Sequence, residues 1–161
     1  MTAKELVATA FYARSCIQIT RIAEILGYAD DAARYAALRD HVIAGFLDRF
    51  IRLDGTMTSD TQCAYALAIA FGLLDGEPVR KVKAGNRLAC LVRESGGKVS
   101  TGFAGTPFVL PALTQTGHDD EAYQLLTSTE CPSWLYQVTM GATTTWERWD
   151  SMRPDRSLNR S

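Results

Sequence analysis

Apolar residues recur at helical spacing along nearly the whole chain. Over residues 3–26, Leu6, Ala10, Ile17, Ile22, Ile25 and Leu26 follow a broadly helical period, and Gly27 is a natural stop. Asp30 and Asp31 can cap a second helix whose stripe, Tyr35, Leu38, Val42, Phe46 and Phe50, advances by three and four residues. Asp54-Gly55 breaks that pattern. Ser59 and Asp60 can cap a third helix over 61–74, which is apolar on almost every side and should be the most buried element. Asp75-Gly76 ends it, and Pro78 suits the first turn of a fourth helix carrying Val79, Val82, Leu88, Leu91 and Val92 as far as Ser95-Gly96-Gly97. Thr106-Pro107 repeats the start signal for a fifth helix over 107–116, with Pro111 bending rather than breaking it. A sixth runs from Asp119 or His118 to about Ser128. Residues 139–150, rich in threonine and aromatics, read as a strand or an extended loop.

Six helices with short connections make three antiparallel hairpins, over roughly 3–50, 60–95 and 107–128. Such pairs build either a solenoid or a closed ring. No repeat at a fixed period is visible, which weighs against a regular solenoid. The expected fold class is therefore all-α, with one short extended segment near the C-terminus.

Composition narrows the functions. The chain has 161 residues, 47% apolar and 22% charged, enough for one core. A formal net charge of -1 with no basic stripe argues against nucleic acid, and the sparse Arg153, Arg156 and Arg160 do not change that. No apolar run reaches membrane-spanning length, and the first residues show no secretory pattern. Cys16, Cys63, Cys90 and Cys131 form no metal or redox spacing, so they read as reduced thiols in a cytoplasmic protein without a metal or cofactor.

Candidate chemistry gathers at Thr-Thr-Thr-Trp-Glu-Arg-Trp-Asp-Ser, residues 143–151. One carboxylate, Glu147, stands between Trp146 and Trp149, with Arg148 beside it and Asp150 nearby. As a strand, the segment would put Glu147 and Trp149 on one face and Trp146 and Arg148 on the other. A plainer reading is an interface strand with a Glu147–Arg148 surface ion pair. Residues 99–106 hold two glycines, three hydroxyls and Phe103 before a helix start. They make either a capped turn or a loop where backbone approaches a ligand. His118 reads as a helix-start residue, His41 as exposed, and Asp60 as no more than an N-cap.

Three blocks resemble the bacterial α-L-rhamnosidases: Thr-Gly-Phe-Ala-Gly-Thr-Pro-Phe-Val-Leu-Pro-Ala-Leu (101–113), Glu-Cys-Pro-Ser-Trp-Leu-Tyr (130–136) and Gly-Ala-Thr-Thr-Thr-Trp-Glu-Arg-Trp-Asp-Ser (141–151). Residues 59–74 are similar as well, and the Trp-Glu-Arg-Trp-Asp block is the most specific. The resemblance implies a catalytic domain built as a ring of six helical hairpins, an (α/α)6 toroid, of which residues 1–161 form the C-terminal half. It implies an inverting glycoside hydrolase that removes terminal α-L-rhamnose from glycosides or polysaccharides. Glu147 falls on the general-base position, and Trp149, Trp146, Trp134, Tyr136 and Phe103 are candidates for the sugar pocket. Inversion needs a second carboxyl, the acid, roughly 6.5–9.5 Å away. The resemblance places that acid before anything in residues 1–58. Arg156 and Arg160 stand where the family tends to carry glycine and proline. The competing expectation is a non-catalytic helical module that binds sugar or a protein. A half-ring would also leave an apolar face open to self-association, much of it expected on the third helix.

Overall fold

The computed structural model describes residues 1–159; Arg160 lies outside the described residues. Seven helices follow one another: α1 (Lys4–Leu26), α2 (Ala29–Phe50), α3 (Gln62–Ala70), α4 (Pro78–Glu94), α5 (Gly102–Gln115), α6 (Asp119–Thr127) and α7 (Trp134–Thr139). The first six pair as three hairpins. α1 lies along α2 and touches α3, while α3 packs against both α4 and α5. Among the described residues the extended pairing is confined to two isolated bridges, Ile51–Met57 and Met152–Leu158. Among the described residues no helix is long and apolar enough to cross a membrane.

Helix α3 is the centre of the core, as its composition predicts. Every residue from Gln62 to Ile69 is buried, and Phe71, Leu73 and Leu74 stay buried after the helix gives way to turns at Phe71. The expectation that this helix carries an open apolar face is therefore not met: α1, α4 and α5 already cover it. Exposed large aliphatics lie instead on α1, at Ile22, Ile25 (75% exposed) and Leu26, and on α4, where Val79 and Val82 of the expected stripe face outward. The buried seam of α1 is Leu6, Ala10, Ala13, Cys16, Thr20 and Ala23, mostly small residues that let α2 approach closely. A hydrophobicity reading finds Leu6 and Ala10 but then follows the larger isoleucines, and so leaves the buried seam in the second half of that helix. On α2 the larger residues Val42, Phe46 and Phe50 do form the buried stripe.

Several helix starts differ from expectation because tertiary partners claim the capping groups. Thr61 caps α3, accepting from the Ala64 N–H at 3.3 Å. Ser59 instead accepts from Ala3 N–H, and Asp60 accepts from Tyr65 and Arg87. α2 begins at Ala29, so Asp30 and Asp31 sit in its first turn, where carboxylates complement the helix dipole. α5 begins five residues before Pro107 and contains both Pro107 and Pro111. The Thr106 hydroxyl, expected as a cap, donates back to the Gly102 carbonyl at 2.7 Å. α7, a helix that the sequence reading did not expect, ends at Thr139, where the expected extended run begins, and is capped by Ser133, whose hydroxyl accepts from Tyr136 N–H.

One buried side chain links the core to the entry of α5. Gln62, 1% exposed, donates to Ser95 Oγ at 3.2 Å and to the Lys98 carbonyl at 3.0 Å. Its Oε1 accepts from Ser100 N–H at 3.0 Å. The turn over 95–100 is thereby satisfied internally, which a buried turn requires, and it delivers Gly102 and Phe103 to the surface.

Candidate active site

A cavity of about 810 Å³, within the usual range for small-molecule sites, opens beside the start of α5. It is lined by Gly102 and Phe103 from α5, Cys131 and Pro132 from the loop before α7, and the run 146–150. Phe103 is 92% exposed at its mouth. An aromatic ring this exposed gives up hydrophobic burial, which makes it a surface for stacking.

The run 140–150 is made of bends and turns rather than a strand. Alternation therefore does not apply, and Trp146, Glu147, Arg148 and Trp149 all line the same cavity. Their surroundings differ. The Trp149 ring meets Trp134 edge-on at 5.5 Å and rests on the hydrophobic core. The Trp146 ring meets Tyr136 at 6.4 Å, also edge-on. Trp134 and Tyr136 belong to α7 and stand behind the two cavity tryptophans, outside the lining. Tyr136 is buried and its hydroxyl donates to the Met152 carbonyl at 2.7 Å.

The carboxylates near the cavity are not equivalent. Arg148 pairs with Asp150, with Nε and Nη2 at 3.3 and 3.4 Å from its two oxygens. Asn159 Nδ2 donates to Asp150 Oδ2 at 2.6 Å. Glu147 is exposed in the cavity, and its carboxylate has no hydrogen-bond or ion-pair partner among the described residues. The Glu147–Arg148 pair of the plainer reading is thus replaced by Arg148–Asp150. Asp60, at the start of α3, is held by the Arg87 fork and by the Tyr65 hydroxyl. Those bonds hold its carboxyl below the usual carboxylate range.

Other polar groups keep structural places. His118 precedes α6 and its Nε2 lies 3.1 Å from Asn86 Oδ1. His41 is exposed on α2. All four cysteines are free, and burial pushes the Cys63 and Cys131 thiols up. No cluster that could hold a metal ion exists among the described residues. Two residues escaped the sequence reading. Cys131 lines the cavity, and the buried Gln137 accepts from the Trp146 N–H at 3.1 Å through Oε1. The Ser133 cap was the available signal for α7 and hence for Gln137.

A family model described as the bacterial alpha-L-rhamnosidase 6 hairpin glycosidase domain matches residues 1–161. The chain belongs to that family. Among its relatives, the α-L-rhamnosidase of Streptomyces avermitilis is 43% identical over 154 residues, covering 96% of this chain. One from Formosa agariphila is 38% identical over 160 residues, covering 98% of it. The native α-L-rhamnosidase structure from Aspergillus terreus superposes with a TM-score of 0.93 at 38% identity over 98% of the chain. The Streptomyces avermitilis enzyme complexed with L-rhamnose gives 0.91 at 42% identity over 99%. The chain spans only 15% and 17% of the two curated relatives, and 18% and 15% of the two solved chains. Its three hairpins and α7 are part of the six-hairpin α/α toroid of these rhamnosidases, and the all-α expectation holds.

Proposed function

We propose that this rhamnosidase-family chain supplies the general base of an inverting hydrolase acting on terminal α-L-rhamnosides, and that Glu147 is that base. The single observation that carries the reading is the Glu147 carboxylate, unpaired among the described residues, in a cavity shared with Trp146 and Trp149. A base must accept a proton from water, so a carboxylate already bound by cations is a poor choice. Asp150 is engaged by Arg148 and Asn159, and Asp60 by Arg87 and Tyr65. Glu147 takes a proton from the water that attacks the anomeric carbon, while a carboxylic acid on the opposite face protonates the leaving oxygen. The family resemblance implies that this acid comes from outside these residues. The tryptophans and Phe103 supply stacking faces for a sugar and its aglycone beside Glu147. The α-L-rhamnose-bearing substrate follows from the named relatives, one of them solved with L-rhamnose. The free thiols suit a reducing compartment. In isolation, the exposed aliphatics of α1 make a self-association surface.

The test is a chimera in which this chain replaces the matching stretch of the Streptomyces avermitilis enzyme. It should cleave an aryl α-L-rhamnoside with the β-anomer formed first, and Glu147→Gln should lower turnover by a factor of roughly 10² or more. Near-unchanged turnover in Glu147→Gln would remove Glu147 from the mechanism, and a first-formed α-anomer would exclude inversion. L-Rhamnose binding by the chain alongside an inactive chimera would favour a binding module.

A further inference from the structure

Glu147 sits on a segment with little backbone pairing of its own, so something else must hold it. The nearest backbone bond beyond it is Ser151 N–H to the Arg148 carbonyl at 3.2 Å. The support comes from α7. Trp134 meets the ring of Trp149, Gln137 accepts from the Trp146 N–H, and Tyr136 touches the segment on both flanks of Glu147. On one side the Tyr136 ring lies against Trp146. On the other its hydroxyl donates to the Met152 carbonyl, at the foot of the Met152–Leu158 bridge.

We infer that Tyr136 is a positioning residue for Glu147, acting through Trp146 and Met152 rather than through contact with sugar. Its burial and its place outside the cavity lining separate it from Phe103, Trp146 and Trp149. Burial, Cys131 and the nearby Asp150 and Asp155 carboxylates all push its phenol up, so it remains a protonated donor to the carbonyl. α7 is itself fixed at its start by the Ser133 cap and by the Val99 N–H bond to the Pro132 carbonyl at 3.0 Å. The support therefore runs from the turn before α5, through α7, to the segment carrying the base. A single hydroxyl bridges helix and loop across sixteen residues of sequence. The inference rests on Glu147 being the base, but the anchoring itself does not.

Tyr136→Phe keeps the ring and removes only the hydroxyl. In the full 161-residue chain it should speed amide exchange across 146–152 by about tenfold, the effect of one hydrogen bond, while α1–α6 keep their protection. In the chimera it should lower kcat by a similar factor with KM within about twofold, the pattern of lost transition-state alignment. Tyr136→Leu, which also removes the ring contact, should lower kcat further. Unchanged exchange in Tyr136→Phe would overturn the anchoring. Faster exchange with unchanged kcat would show that the anchor has no bearing on the base. A raised KM at unchanged kcat would make Tyr136 a sugar contact. Glu147→Gln in the same chimera separates a failure of the base assignment from a failure of the anchor, because exchange is read without any turnover.

Discussion

Helices α3 and α5 meet where Gly105 faces Cys63, and that contact predicts a destabilising alanine. A Cβ built on Gly105 stands 2.8 Å from Cys63 Sγ, 3.2 Å from Cys63 Cβ and 3.0 Å from Thr101 Cβ. All three atoms belong to buried residues, so none can swing into solvent. Overpacking of this kind costs about 1–3 kcal/mol. Alanine returns about 1 kcal/mol through helix propensity, leaving a net loss of up to roughly 2 kcal/mol. For a domain of this size that lowers the thermal midpoint by up to about 8 °C. Gly45, inside α2, is the control, since nothing lies within 4 Å of its added Cβ. Gly45→Ala should raise the midpoint by propensity alone. Cys63→Ala removes the sulfur, so Gly105→Ala should cost clearly less in that background, a coupling that a double-mutant cycle measures. A higher midpoint for Gly105→Ala, or the same penalty with and without Cys63, would refute the close-contact argument.

The other predictions concern a loop and an ion pair. Arg52–Thr56 and Arg153–Ser157 form the same hydrogen-bonded turn. The first residue's N–H donates to the fifth carbonyl at 2.8 and 2.9 Å, and the third residue's carboxylate accepts from the fifth residue's N–H and hydroxyl. The fourth residue has positive φ in both, 86° at Gly55 and 64° at Arg156. Arg156→Gly removes a left-handed strain of about 1–2 kcal/mol against an entropic cost of about 0.5–1 kcal/mol. It should therefore stabilise the 152–158 turn, measured as slower amide exchange there; faster exchange would refute this. Asp60 is held below its ordinary range by Arg87 first and Tyr65 next, with burial opposing. A depressed folded-state value gives stability that is present above the unfolded value of about 4 and lost as pH falls through the folded value. Thermal midpoints of wild type and Asp60→Asn should therefore differ at neutral pH and converge on acidification below pH ~4; a constant gap would show that the charge contributes nothing.

Much of the hairpin architecture was legible because its signals are local. Asp54-Gly55, Gly96-Gly97 and Gly117 end or separate elements where the pattern breaks, and the α2 stripe and the all-round apolar α3 report burial directly. What stayed illegible depended on partners distant in sequence. Thr106-Pro107 looks like a helix start, yet Gln62 fixes the preceding turn and the helix opens at Gly102. The α1 seam is alanine-rich, and only the packing of α2 shows which face is buried. The cavity residues Phe103, Trp146, Glu147 and Trp149 were all candidates from sequence. The separation of those four from Trp134 and Tyr136 was not, because type and spacing cannot distinguish an aromatic that lines a cavity from one that stands behind the lining.

The conformation of 146–150 follows from what the cavity needs. A regular strand sends neighbouring side chains to opposite faces. Built that way, the segment offers Glu147 only one flanking tryptophan and turns the other, with Arg148, away from the cavity. The bend places Trp146, Glu147, Arg148 and Trp149 around one space. The cost is that bends carry no ladder of backbone bonds, and backbone polar groups still need partners. Side chains meet that need here: Gln137 takes the Trp146 N–H, and the Ser151 hydroxyl and N–H both donate to the Arg148 carbonyl. Asp150 then draws Arg148 to itself, and Asn159 secures Asp150 from the far side of the bridge. Arg148, the cation next to Glu147 in the chain, is thereby occupied by Asp150. The same contacts that stabilise an irregular segment engage Asp150 and leave Glu147 without a partner among the described residues, as the proposed base requires.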